Sequence, residues 1–270
     1  MKSFVTLVTA TAILALAACN GTSSSSPFFP SNSSYVRVAH GSPDAGTVAV
    51  QIDGTTVQSG LTYGTMSSYA SLKTGAHTLN VLRSGSGKKL TSTTFSTNAG
   101  QDTTVVITGE RHPTYASKSN LGLRVFTEQP FNTPGGGAAV NYHNAAPAMQ
   151  GALNLQRVPF GYSVDATPGN NHLGTSQSFG GATNPQGLPS SALNTPITLF
   201  AKNFKAFTIT PGDAMSGCTG MPCNGQGNLS LYLVDGRGAS RNPTNSYPPY
   251  FGRHSKADFI GSFDANGLIQ

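Results

Sequence analysis

From Tyr35 onward, apolar and polar residues alternate with a period of two. The runs Y-V-R-V-A-H, V-A-V-Q-I, T-T-V-Q and A-H-T-L-N-V-L-R each send every second side chain to one face, which predicts half-buried β-strands. Asp53-Gly54 separates two of these runs, and an Asp-Gly pair in that place predicts a tight hairpin. K-L-T-S-T-T-F, D-T-T-V-V-I-T and L-G-L-R-V-F-T follow as further strands, divided by clusters of Gly, Asn, Ser and Pro. No stretch keeps a helical period over three turns. About seven short strands at this spacing predict a two-sheet sandwich of immunoglobulin or fibronectin type over 35–130.

The pattern then returns in looser form. V-R-V-A-H-G-S-P, from Val36 to Pro43, aligns with V-N-Y-H-N-A-A-P, from Val140 to Pro147, and a strand-like run follows each: V-A-V-Q-I and A-L-N-L-Q. A repeat at a spacing of 104 residues is too long for a solenoid and predicts a duplicated domain. The joint is F-N-T-P-G-G-G, and the second, divergent β-sandwich domain is expected over 135–270, with strands at I-T-L-F-A, A-F-T-I-T, L-S-L-Y-L-V-D and A-D-F-I-G-S-F. Thr167 to Ser191 reads as a polar insertion, either a binding loop or a mobile one. The fold class expected is all-β, two tandem immunoglobulin-like sandwiches.

The first residues change the picture of where this body resides. A lysine near the N-terminus precedes an apolar run from Phe4 to Ala18, broken by threonines and too short for a spanning helix of about 18 to 20 residues. The run stops at L-A-A-C, which resembles the lipobox of bacterial lipoproteins. That resemblance implies a signal peptide over 1–18 and a mature chain beginning at a lipidated Cys19. Several acyl chains hold a protein firmly to a membrane. The stretch over 19–34, rich in Ser, Pro and Asn, has no periodic apolar face and reads as a flexible tether. Asn20 after the lipid cysteine resembles cargo sent to the outer membrane of Gram-negative bacteria.

Charged residues make up 10% of the chain, which contains no Trp and carries a formal charge of +6. Lys and Arg are scattered singly, so no basic stripe for nucleic acid is present, and the balance fits weak attraction to anionic envelope surfaces. Apart from Cys19 the cysteines are Cys218 and Cys223, in S-G-C-T-G-M-P-C-N-G. In an oxidising compartment they read most simply as a disulfide; a metal site is the competitor, but no His lies close in sequence and zinc needs four ligands.

Five segments together carry a family resemblance: V-R-V-A-H-G-S-P-D-A, V-A-V-Q-I-D-G-T-T-V, L-T-Y-G-T-M-S-S-Y, L-K-T-G-A-H-T-L-N-V and T-V-V-I-T-G. They resemble the domain-of-unknown-function-4397 family over Tyr35 to about Pro130. The resemblance implies exported bacterial proteins or lipoproteins, often in tandem, with an immunoglobulin-like sandwich. It implies no established activity and no functional residues.

The six histidines form no H-x-H or H-E-x-x-H pair. His40, before the G-S-P-D turn, is expected to bond turn backbone, as is its aligned counterpart Asn144. His40, Ser42 and Asp44 lie too close along one turn to converge as a triad. S-G-S-G-K-K, Ser84 to Lys89, lacks the phosphate-loop spacing and reads as a hairpin tip. No catalytic residue, cofactor or metal ligand is therefore assigned. Tyr247, Tyr250, Phe251 and Arg253, in the tail N-S-Y-P-P-Y-F-G-R-H, are candidates for stacking on a sugar or a partner protein, or else for closing a sandwich edge. The expected protein is a non-enzymatic envelope lipoprotein that binds polysaccharide or protein. The alternatives are a hydrolase with an irregular second domain and a passive spacer.

Overall fold

A computed structural model describes residues 33–113, 119–128, 138–147, 153–157, 179–182, 186–188, 197–201, 204–209, 227–236 and 257–265. The first group of strands is β1 (Ser33–His40), β2 (Val48–Ile52), β3 (Thr55–Leu61), β4 (Ala70–Lys73), β5 (Gly75–Arg83), β6 (Lys89–Thr97), β7 (Asp102–Thr108) and β8 (Gly122–Glu128). They form two four-stranded sheets, β3-β2-β5-β6 and β4-β1-β7-β8. Within the second of these β1 and β7 run parallel, and the other neighbours are antiparallel.

Alternation builds the first core. Val48, Val50 and Ile52 on β2, Leu79 and Val81 on β5, and Phe95 on β6 point inward, against Val36 and Val38 of β1 and Val105 and Ile107 of β7. Their burial between two sheets is the sandwich predicted from the period-two runs. The β2–β3 turn also forms as read: Asp53 and Gly54 have φ of 50° and 82°, the left-handed pair that matches strand twist in a type I′ hairpin. β1 starts at Ser33, inside the stretch read as tether, because Ser33 and Ser34 pair with Lys73 and Leu72 of β4.

The second group is β9 (Ala138–Asn144), β10 (Leu153–Arg157), β11 (Gln186–Leu188), β12 (Ile197–Ala201), β13 (Phe204–Ile209), β14 (Gly227–Asp235) and β15 (Ala257–Ala265). Its sheets have the orders β11-β9-β14-β15 and β10-β12-β13. β9 and β14 are parallel, as β1 and β7 are. Strand for strand, the order matches that of the first group without a counterpart of β3 among the described residues. The insertion read over Thr167 to Ser191 is not wholly loop: Gln186–Leu188 is β11, held to β9 by antiparallel pairing.

A second core lies between the two groups. Ala39, Val106 and Phe126 of the sheet β4-β1-β7-β8 meet Ala145, Tyr232, Val234 and Ile260. β1 and β7 are thus covered on both faces, and β7 is buried from Thr103 to Thr108. The V-V-I run of that strand suits double burial, which a clean alternation would not.

Candidate functional site

His40 closes β1 and turns the chain. One ring nitrogen, Nε2, lies 2.7 Å from the Gly46 carbonyl and so donates, while Nδ1 accepts from the Ser42 amide at 3.3 Å. Asn144 does the same work at the end of β9, its side-chain oxygen accepting from the Ala146 amide at 3.1 Å. The surrounding backbone repeats as well. Gly64 N donates to His40 O and His40 N to Thr65 O, as Gly180 N donates to Asn144 O and Asn144 N to Gly181 O. Phe179-Gly180 therefore stands where Tyr63-Gly64 stands in the first group. Asp44 accepts backbone N–H groups from Arg111 and His112, each at 2.7 Å, so its carboxylate caps a neighbouring loop. Imidazole and carboxylate on this turn both serve backbone groups, as expected for His40.

Ionisable groups converge elsewhere, between the two facing sheets. Arg37 projects from the middle of β1 and is 2% exposed. Its Nε donates to Thr104 Oγ1 at 2.9 Å and its Nη2 to the Tyr232 hydroxyl at 3.4 Å. The guanidinium also lies over the Tyr69 ring, 4.6 Å from the centroid. Glu128, at the end of β8, is the counter-charge, 3.8 Å from Arg37. Its Oε1 accepts from Thr104 at 3.0 Å and from the Tyr232 hydroxyl, and its Oε2 accepts from Ser230 at 2.7 Å. A buried ion pair is tolerated only when its remaining lone pairs and protons find partners, and here three hydroxyls supply them.

His143 of β9 stacks on Tyr232, with centroids 4.6 Å apart and planes 10° from parallel, and neither ring nitrogen has a hydrogen-bond partner among the described residues. Burial first, and the charge of Arg37 second, push its pKa down to about 3. The imidazole is therefore neutral at ordinary pH, and its 3.8 Å approach to Glu128 is a packing contact rather than an ion pair. Closed from water on both sides, this cluster fixes how the facing sheets register. Nothing local in the sequence brings Arg37 and Tyr232 together with Glu128 and His143. The one available signal was a lone Arg in the middle of an otherwise apolar strand.

Cys19, Cys218, Cys223, Tyr247, Tyr250, Phe251 and Arg253 all lie outside the described residues. Among the described residues no group of three or more His, Cys, Asp or Glu is placed to hold a metal ion.

Comparison with known proteins gives one family. The sequence model of the family described as "Domain of unknown function (DUF4397)" matches residues 34–156, from β1 into β10, and so runs further than the stretch to Pro130 on which the resemblance was read. No curated protein matches. Among solved structures, one similar chain is CBMbc, of family CBM26, from Eubacterium rectale Amy13K, crystallised in complex with maltoheptaose. The likeness is 13% identity and a TM-score of 0.23, covering 73% of this chain and 91% of that one.

Proposed function

We propose, from the match of residues 34–156 to the model of the DUF4397 family, a lipid-anchored envelope protein that acts by contact rather than by catalysis. In this reading the signal peptide of residues 1–18 is removed, Cys19 carries the lipid, and the anchor sits in the outer membrane. Two sandwich domains, over 35–130 and 135–270, follow the tether, and the matching strand orders of the two groups support that division. Cys218 and Cys223 pair in the oxidising compartment, and Tyr247, Tyr250, Phe251 and Arg253 are kept as contact residues for polysaccharide or protein.

The observation that carries the non-catalytic reading is the employment of the reactive side chains. The His40 ring serves the turn from Gly41 to Gly46, Asp44 caps the loop at Arg111, and Arg37, Glu128 and Tyr232 neutralise one another inside a closed interface. Groups so committed hold a scaffold, and a scaffold presents its function on loops and faces.

Detergent phase partitioning and envelope co-sedimentation test the proposal together. The wild-type chain is expected in the detergent phase and Cys19→Ser in the aqueous phase, with the freed variant still sedimenting with isolated envelopes. A Cys19→Ser chain that stays in the detergent phase overturns the anchor. One that no longer sediments with envelopes overturns action by contact.

A further inference from the structure

The two ends of the first sandwich differ in charge. β1 begins at Ser33, whose carbonyl accepts from Gly100, and Ser33 pairs with Lys73 at the close of β4. β5 starts beside this point at Gly75 and runs away from it for 9 residues, so its far end lies about 30 Å off. At that far end stand Arg83, Lys88 and Lys89, around the β5–β6 hairpin. The loop after β1 joins them to the loop after β7: Thr47 accepts from the Ser84 amide at 3.1 Å, while Asp44 caps Arg111 and His112.

One rim therefore gathers Arg83, Lys88, Lys89 and Arg111. Lys88, Lys89 and Arg111 are exposed, and none of the four is ion-paired to a described residue. The carboxylates nearest in the chain, Asp44 and Glu110, offset them only in part. The Asp44 carboxylate brings its charge beside Arg111, where both its oxygens accept backbone N–H groups, and Glu110 is buried, so the rim remains net cationic through Arg83, Lys88 and Lys89.

We propose that this rim is a binding surface for an anionic polysaccharide. The charges are spread over two loops rather than gathered in a pocket, which suits a polymer with repeated anionic groups better than a single small anion. The direction of the rim rests on the tethering proposed above. An anchor joined at Ser33 holds the sandwich by the end opposite the rim, so the cationic end is the one left free to reach glycans beyond its own membrane.

The test is retention of the full chain, in detergent, on cross-linked polygalacturonate and on neutral cross-linked dextran. Retention is expected on the acidic gel alone, weakening as salt is raised. Lys88→Glu/Lys89→Glu/Arg111→Glu should reduce it by at least about tenfold with an unchanged melting temperature. Lys88→Arg/Lys89→Arg should retain binding, and Lys73→Glu, at the tether end, should leave it as in the wild type. Equal retention on dextran, an equal loss in Lys73→Glu, or tighter rim-dependent binding to phosphatidylglycerol vesicles than to the gel overturns the proposal. Envelope sedimentation without gel binding defeats the rim alone, whereas loss of both defeats the contact reading too.

Discussion

His77 lies within 2.7 Å of two acceptors, Asp53 Oδ2 at Nδ1 and the Lys73 carbonyl at Nε2. A neutral imidazole has a single N–H, so satisfying both requires the protonated ring. Burial opposes that charge, but the hydrogen bonds to Asp53 and Lys73 and the attraction of the carboxylate outweigh it, and the His77 pKa is raised. Asp53 moves the other way, held down mainly by its hydrogen bond to His77 and then by that from the Thr78 amide. The raised group contributes stability fully below the unfolded pKa of about 6.5, and loses it as pH climbs through the folded value. The lowered group contributes above about 4 and loses it as pH falls. Asp53→Asn keeps the favoured Asn-Gly turn while removing the charge. Wild type should therefore lose more melting temperature than Asp53→Asn between pH 6 and pH 9, roughly the window of the His77 titration, and parallel curves would refute the imidazolium. Taking the difference between the two proteins cancels His143, whose depressed pKa lowers stability as pH falls below about 6.5 in both. The roles of His40 and Asn144 could be read ahead because they depend on neighbours in the chain. The partners of His77 lie 4 and 24 residues away, across a strand register that local pattern leaves open.

β1 and β7 show how far periodicity reaches. It placed these two strands, because a two-residue repeat with Gly, Asn and Pro breaks follows directly from pleat geometry, while β4 and β11 are too short for such a repeat to stand out. It could not say what covers the second face, since Arg37, Thr104 and Thr108 look like solvent-facing positions when only their own strands are considered. The covering strand, β14, comes more than a hundred residues later and supplies Ser230 and Tyr232 to finish the hydrogen bonding of Glu128. An interface of this kind has an asymmetric response to mutation. Glu128→Leu leaves the Arg37 guanidinium buried without its counter-charge, and should cost about 3–5 kcal/mol in urea unfolding. Arg37→Met/Glu128→Leu removes both charges and fills similar volume, so it should be closer to wild type than the single variant. If the double variant is the less stable, the pair itself, and not the orphaned charge, holds the sheets together.

The two groups of strands meet through equivalent places. Gly41 follows His40 as Ala145 follows Asn144, and each donates its amide to the neighbouring parallel strand, at Ile107 and Leu233. Each also touches the strand opposite: Thr108 Oγ1 donates to the Ala145 carbonyl, while Val234 packs on Gly41. The second contact leaves no room for a side chain. A Cβ on Gly41 would lie 2.3 Å from Val234 Cγ1 and 2.9 Å from the Ile107 carbonyl oxygen. Gly41→Ala must therefore push the facing sheets apart, at a cost of about 1–3 kcal/mol from overpacking. Where that strain appears distinguishes a docked pair of sandwiches from one continuous core. Among the described residues, the first core, around Val50, Leu79 and Phe95, contains none from the second group. Amide hydrogen exchange should therefore quicken along β14 in Gly41→Ala, while β2 and β5, on the far side of the first sandwich, keep their wild-type protection. Equal loss of protection in β2, β5 and β14 would mean that the two cores open as a single unit, and that the interface is part of the fold of the first sandwich rather than a surface between two.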